Sequence, residues 1–154
     1  LGAAAATLGQ PFAVIAHSMG AASSVVAMSE GLLAPRAFVA LASPASLADN
    51  IAFQAGAMGL SRHAITQMQK GVEAVLQTPI SRFDIARDAP AMTADALFLY
   101  GDNDMIVPQS AGETAARHWP GARLEILPGI GHRGILRDPD VLSRTTQFLK
   151  TIAR

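Results

Sequence analysis

Four short runs in this chain are wholly or mostly apolar, and stretches with helical spacing separate them. They are Phe12-Ala13-Val14-Ile15-Ala16, Ala37-Phe38-Val39-Ala40-Leu41-Ala42, Ala96-Leu97-Phe98-Leu99-Tyr100 and Arg123-Leu124-Glu125-Ile126-Leu127. A strand with one wet face alternates apolar and polar residues. A run apolar on both faces suits a parallel strand buried between two layers of helices. Strand and helix in alternation predict an α/β fold, with a mostly parallel sheet, flanking helices and right-handed crossovers. At 154 residues the chain has the length of one domain. Half of its residues are apolar and only 16% are charged, which supplies a core and argues against disorder.

Local signals punctuate the helices. Leu1 to Leu8 reads as a helix end. Gly20 to Glu30 is a helix stopped by Gly31 as the residue after its C-cap. Ser110-Ala111-Gly112-Glu113 has the form of a capping box, opening a helix to about His118 that Pro120-Gly121 ends. Asp138 before Pro139 reads as an N-cap opening a last helix to about Ala153. Residues 45–90 break the rhythm. Helical spacing runs from Ile51 to Met58 and from Ala64 to Leu76, with Gly56, Gly59 and Gly71 as interruptions. This segment far exceeds the usual two to six residues of a strand–helix loop, so it reads as a helical insertion, a cap or lid at the strands' carboxyl ends.

Composition excludes several functions. Twelve basic residues balance twelve acidic ones, so nothing in the charge draws the chain to nucleic acid or to an anionic membrane. There is no cysteine, hence no disulfide, thiolate metal site or cysteine nucleophile. No apolar run reaches the roughly 20 residues that span a bilayer. The alanine-rich start, Leu1 to Ala6, lacks the basic segment of a signal peptide, and the expected compartment is the cytoplasm.

Three loops carry the chemistry. In Ala16-His17-Ser18-Met19-Gly20 an apolar strand runs straight into a serine followed by small residues. That pattern fits a sharp strand-to-helix turn raising the serine Oγ above the sheet, with Ala16 and Gly20 small because the turn is tight. Ala16 departs by one methyl group from the usual Gly-x-Ser-x-Gly. Gly101-Asp102-Asn103-Asp104-Met105-Ile106-Val107-Pro108 puts acids at the end of the third apolar run. Gly129-Ile130-Gly131-His132-Arg133 puts a histidine just after the fourth. All three fall at carboxyl ends of strands, the edge where open α/β sheets bind ligands. A serine hydroxyl needs a base to become a nucleophile, and histidine, with an ordinary pKa of about 6.5, serves near neutral pH.

With these motifs the chain resembles the α/β-hydrolases, above all serine esterases and lipases with a short helical cap. The resemblance covers nearly all of it. It implies a Ser-Asp-His order of nucleophile, acid and base: Ser18, Asp104 and His132. Asp104 is preferred over Asp102 because the family's acid lies three residues after the glycine; Asp102 supports the turn. The backbone N–H of Met19 is the implied oxyanion donor, and no cofactor is implied. The expected substrate is a small carboxylic ester or related acyl compound. Serine at the elbow argues against dehalogenase and epoxide hydrolase relatives, which use aspartate there. It leaves thioesterase, acyltransferase, C–C hydrolase and perhydrolase chemistry open.

The resemblance is to the family's C-terminal half: the elbow strand and the three strands after it. Seventeen residues precede Ser18, and the family's first four strands and its second oxyanion loop have no counterpart among them. Two expectations follow. The half is either a catalytic serine hydrolase or a non-catalytic fragment. Its elbow strand is an exposed apolar edge, which pairs with a second copy in a homodimer or is covered by a longer product.

Other side chains have modest readings. His17 lines the acyl pocket as a substrate contact or packs beneath the elbow. His63 and His118 are surface or capping residues. Arg133 and Arg137 steer an acidic substrate or form surface ion pairs. Met58, Met68 and Met105 touch an acyl chain or fill core. No His/Asp/Glu cluster has zinc-like spacing, so no metal is expected. Gly129-Ile130-Gly131 is too short for a dinucleotide fingerprint.

Overall fold

The computed structural model describes residues 1–154. In chain order the elements are α1 (Gly2–Leu8), β1 (Ala13–His17), α2 (Met19–Ser29), β2 (Ala37–Leu41), α3 (Leu47–Ala57), α4 (Arg62–Leu76), α5 (Ile85–Asp88), β3 (Asp95–Gly101), α6 (Gln109–His118), β4 (Arg123–Leu127) and α7 (Pro139–Ile152). Each apolar run forms a strand. The four strands make one parallel sheet in the order β1-β2-β3-β4. Register aligns their carboxyl ends: His17 pairs with Leu41, Leu41 with Leu99, and Gly101 with Leu127. The loops after β1, β3 and β4 therefore emerge along one rim.

Alternating side chains of the two central strands feed two cores, as period-two geometry requires. On one face Phe38, Ala40, Phe98 and Tyr100 pack with Val25 of α2, Ala115 of α6 and Trp119. Trp119 stacks on Phe38 at 5.3 Å between ring centroids, meets Phe98 edge-on at 5.7 Å, and donates its indole N–H to the Ala94 carbonyl. On the other face Val39, Leu41, Leu97 and Leu99 pack with Val141 and Phe148 of α7. β2 is buried at all five positions, whereas β1 is an edge strand, with Ile15 52% exposed and Phe12, just before it, 42%.

Most helix punctuation takes the expected form. α2 closes in a Schellman motif: Gly31, at φ 70°, donates to the Met28 carbonyl and Leu32 to that of Ala27. Asp138 caps α7 by accepting from the N–H groups of Asp140 and Val141. The capping box at Ser110 does not form. α6 starts earlier, at Gln109, with Pro108 at the N-cap and no side-chain cap. The proline's fixed φ and extended backbone already set the helix entry, so Ser110 falls inside the first turn. Nor does the turn require Gly20 to be small. A Cβ there would meet nothing within 4 Å, because this flank of α2 lies open beside the sheet edge.

Between β2 and β3 the chain forms helices and a single isolated antiparallel bridge, Ser46 to Asp84. α3 begins at Leu47, earlier than the apolar spacing indicates, because Ser46 caps it by accepting from the Asp49 N–H. Ser61 caps α4 in the same way through Ala64. Gly56 and Gly71 lie within α3 and α4 without interrupting them; only Gly59, at φ 74°, turns the chain between the two. Met58, Met68 and Met105 fill no core: they are 74%, 44% and 71% exposed.

Candidate active site

Ser18 sits where β1 ends and α2 begins, at φ 54° and ψ −132°. A non-glycine residue with positive φ is uncommon, and this region strains an L side chain. The surrounding chain holds it there. The Ser18 N–H donates to the Leu41 carbonyl at 2.9 Å, and its own carbonyl accepts from Ala21 as α2 starts. The Met19 N–H, first in the helix, has no acceptor in the protein and lies beside the serine at the positive end of α2.

Asp104 is buried, at 6% exposure, in the loop after β3. Its Oδ1 accepts from the N–H groups of Ile106 and Val107 at 2.8 and 2.9 Å. Oδ2 is thereby aimed at His132 Nδ1, 2.8 Å away. His132 Nε2 in turn lies 3.1 Å from Ser18 Oγ. An ionised carboxylate only accepts, so Nδ1 carries the ring proton and Nε2 offers its lone pair to the serine O–H. The three residues named from the sequence thus meet in one hydrogen-bonded line, across 114 positions of chain.

Asp102 stands outside that line, and its side chain bonds another loop instead of its own turn. Its Oδ1 accepts from the Gly129 N–H at 2.6 Å, tying the loop after β3 to the loop after β4. The Asn103 N–H donates to the Ile130 carbonyl as a second tie. Gly101 makes this approach possible: a Cβ there would fall 1.9 Å from the Ile130 oxygen. Nothing in the sequence around Gly101 signals that contact, which joins residues 29 positions apart.

His17 sits with the serine and the histidine. Its Nε2 lies 2.9 Å from the His132 carbonyl, and the two rings are 4.6 Å apart, tilted by 44°. Burial lowers its pKa below the ordinary 6.5; the bond to the His132 carbonyl opposes that shift, the His132 charge adds to it, and Asp104 opposes it.

No protein-family model matches the chain. Solved structures do. The chain superposes with a TM-score of 0.69 on a protein described as a non-heme bromoperoxidase, BpoC, from Mycobacterium tuberculosis H37Rv, covering 97% of this chain and 71% of that one at 16% identity. It superposes at 0.68 on MGS-MChE2, an α/β-hydrolase enzyme from a lagoon-sediment metagenome of Mar Chica, Morocco, covering 98% and 66% at 18% identity. The chain has the α/β-hydrolase fold. A thermophilic esterase of Thermogutta terrifontis matches this α/β-hydrolase fold at 0.64, with 16% identity over 96% of this chain and 67% of that one. Among curated proteins, a pimeloyl-[acyl-carrier protein] methyl ester esterase of Nitrosomonas europaea is 29% identical over 90 residues, 56% of this chain. Those residues are 36% of that esterase, so the match spans about a third of the relative's length.

The remaining candidates fall at the periphery of this α/β-hydrolase fold. His63 is exposed, and His118 bonds the Thr114 carbonyl near the end of α6. Arg133 and Arg137 are exposed and form no ion pair, against the expectation of surface salt bridges, because no carboxylate comes within 4.0 Å of either. No group of three His, Asp or Glu side chains has the arrangement of a metal site, and no helix is long and apolar enough to cross a membrane.

Proposed function

We propose that this chain carries the catalytic residues of a serine hydrolase that cleaves a carboxylic ester or related acyl bond through an acyl-enzyme. The observation that carries the reading is the line from Asp104 Oδ2 through His132 to Ser18 Oγ, with links of 2.8 and 3.1 Å, built on a serine held at positive φ. The esterases among the structural neighbours, and the curated relative named as a methyl ester esterase, support the ester class.

In this mechanism His132 Nε2 takes the Ser18 proton as Oγ bonds to the acyl carbon. The carbonyl π pair moves onto oxygen, and the Met19 N–H donates to that oxyanion. The tetrahedral intermediate then collapses. The carbon–oxygen bond to the alcohol breaks, and His132 returns the proton to the departing oxygen. Water repeats the sequence on the acyl-serine, and Asp104 stabilises the imidazolium in both halves. The helical segment 45–90, which follows the carboxyl end of β2, is assigned the part of a substrate-facing cap.

A fluorophosphonate probe tests the reading. Stoichiometric labelling of the 154-residue chain, abolished in Ser18→Ala, is the expected result, together with turnover of a short p-nitrophenyl ester. Equal labelling of both proteins would overturn it. A second reading, an inert fragment, starts from the Met19 N–H as the one donor assigned to the oxyanion, since oxyanion holes lose about 10²–10³ in rate with each missing donor. No labelling of the folded wild-type chain would favour that reading.

A further inference from the structure

We infer that His17 is a positioning residue for His132, holding its backbone from the strand that also delivers Ser18. The inference rests on the reading of Ser18, Asp104 and His132 as the reacting site. Its basis is geometric. A carbonyl oxygen only accepts, so the 2.9 Å contact requires His17 Nε2 to carry a hydrogen and donate it to His132 O. That assigns His17 the Nε2–H tautomer and leaves Nδ1 without a proton in the neutral ring.

The loop bearing His132 has few other anchors near that residue. Gly129 is tied to Asp102 and Ile130 to Asn103, both in the loop after β3. From β1 and its turn, the loop receives only two bonds: the His17 ring to the His132 carbonyl, and the Ser18 hydroxyl to the His132 ring. Without the first, the one direct tie from the serine's strand and turn to this loop would be the bond that must break and re-form in the reaction. The His17 ring also packs beside that of His132, 4.6 Å between ring centroids. Misplacement of a reacting group by about 1 Å can cost on the order of 10²-fold in rate.

Charge belongs to the same arrangement. The ionisable groups that bear on His17 are His132 and Asp104. When His132 becomes an imidazolium, a neutral His17 accepts that charge nearby, whereas a cationic one would oppose it. Burial favours the neutral ring.

Two substitutions separate positioning from bulk. In His17→Gln the side-chain amide nitrogen reaches roughly where Nε2 stood. In His17→Asn it falls one methylene short of the His132 carbonyl. Both are polar, and both are first checked for folding by circular dichroism. Fluorophosphonate labelling of Ser18 and p-nitrophenyl acetate kinetics should show His17→Asn losing about 10- to 100-fold in rate, in kcat with KM little altered. His17→Gln should recover most of it. Equal rates for the two variants would overturn the proposal.

A readout independent of turnover is the downfield proton resonance of His132 Nδ1–H, held by Asp104. It should persist in the wild type and in His17→Gln and be lost to solvent exchange in His17→Asn. Should the wild-type chain not label, the functional reading fails alone, and the resonance still decides the positioning role. An unchanged resonance in His17→Asn, or a His17 ring protonated on Nδ1 in the neutral wild type, would overturn it. If His17→Asn does not fold, a His17→Gln that folds but lacks the resonance or the rate does the same.

Discussion

At the scale of single residues, the site depends on which atom of each side chain is already engaged. Asp104 is the clearest case. Both backbone donors, from Ile106 and Val107, hold Oδ1, so the other oxygen is committed to His132. This makes the isosteric Asp104→Asn a sharp test. The two N–H groups would keep the amide oxygen at the Oδ1 position and turn the Nδ2 amide toward His132. Nδ1 would then have to accept, the ring proton would move to Nε2, and Nε2 could no longer take the Ser18 proton. We expect fluorophosphonate labelling to slow by about 10⁴-fold with the melting temperature little changed, as measured by gel labelling time courses and calorimetry. Residual labelling within tenfold of the wild type would show that the tautomer does not control the serine. Residue identity was legible here. The loops after apolar runs pointed to Ser18, to the acids Asp102 and Asp104, and to His132, because each follows a strand whose carboxyl end must lie on a common rim; the choice of Asp104 over Asp102 came from the resemblance to the α/β-hydrolases. The His17 contact was not legible, since it is made to a backbone oxygen 115 positions away, and a carbonyl carries no residue-specific signal.

At the scale of elements, the site is assembled by strand ends and the turns that leave them. β3 and β4 end in register at Gly101 and Leu127, and their loops then bond each other through Asp102, Asn103, Gly129 and Ile130. The absence of a side chain at Gly101 permits that contact. Gly101→Ala would place a methyl group 1.9 Å from the Ile130 oxygen, a backbone atom that cannot turn aside. The loop carrying His132 must retreat. We expect the variant to fold but to label at Ser18 at least about 100-fold more slowly, in keeping with the cost of a 1 Å misplacement; a crystal structure should show the distance from His132 Nε2 to Ser18 Oγ lengthened. Wild-type labelling would mean that the loop tolerates the shift. Element boundaries were less legible than element types. The early starts of α3 and α6 follow from a serine cap and a proline that periodicity alone does not weigh.

At the scale of the whole molecule, the sheet is lopsided. β2 and β3 are paired on both sides, whereas β1 and β4 are both edge strands, and β1 exposes its apolar residue more, Ile15 at 52% against Ile126 at 36%. Ile15 on β1 is 52% exposed and Phe12, just before the strand, 42%, beside the unpaired edge that is the usual template for adding another strand. We expect the isolated 154-residue chain to self-associate through β1, giving a concentration-dependent mass by light scattering. Ile15→Lys, which puts a charge on the edge, should return it to the monomer without loss of helical circular dichroism. A wild-type chain monomeric at millimolar concentration would contradict this.

By itself the sequence determined the layer architecture, since runs apolar on both faces have few other places to go. It also determined the chemical types on the rim, since a serine, an aspartate and a histidine stand directly behind such runs. Only the tertiary structure decided how those groups bond: the strained turn at Ser18, the oxygen of Asp104 that faces His132, the tether from His17, and the gap at Gly101 that lets two loops touch. Hydrophobic patterning is local and repeats along the chain, so it can be read from the order of residues. A hydrogen bond between groups a hundred positions apart depends on angles and ångströms that exist only once the strands are in register.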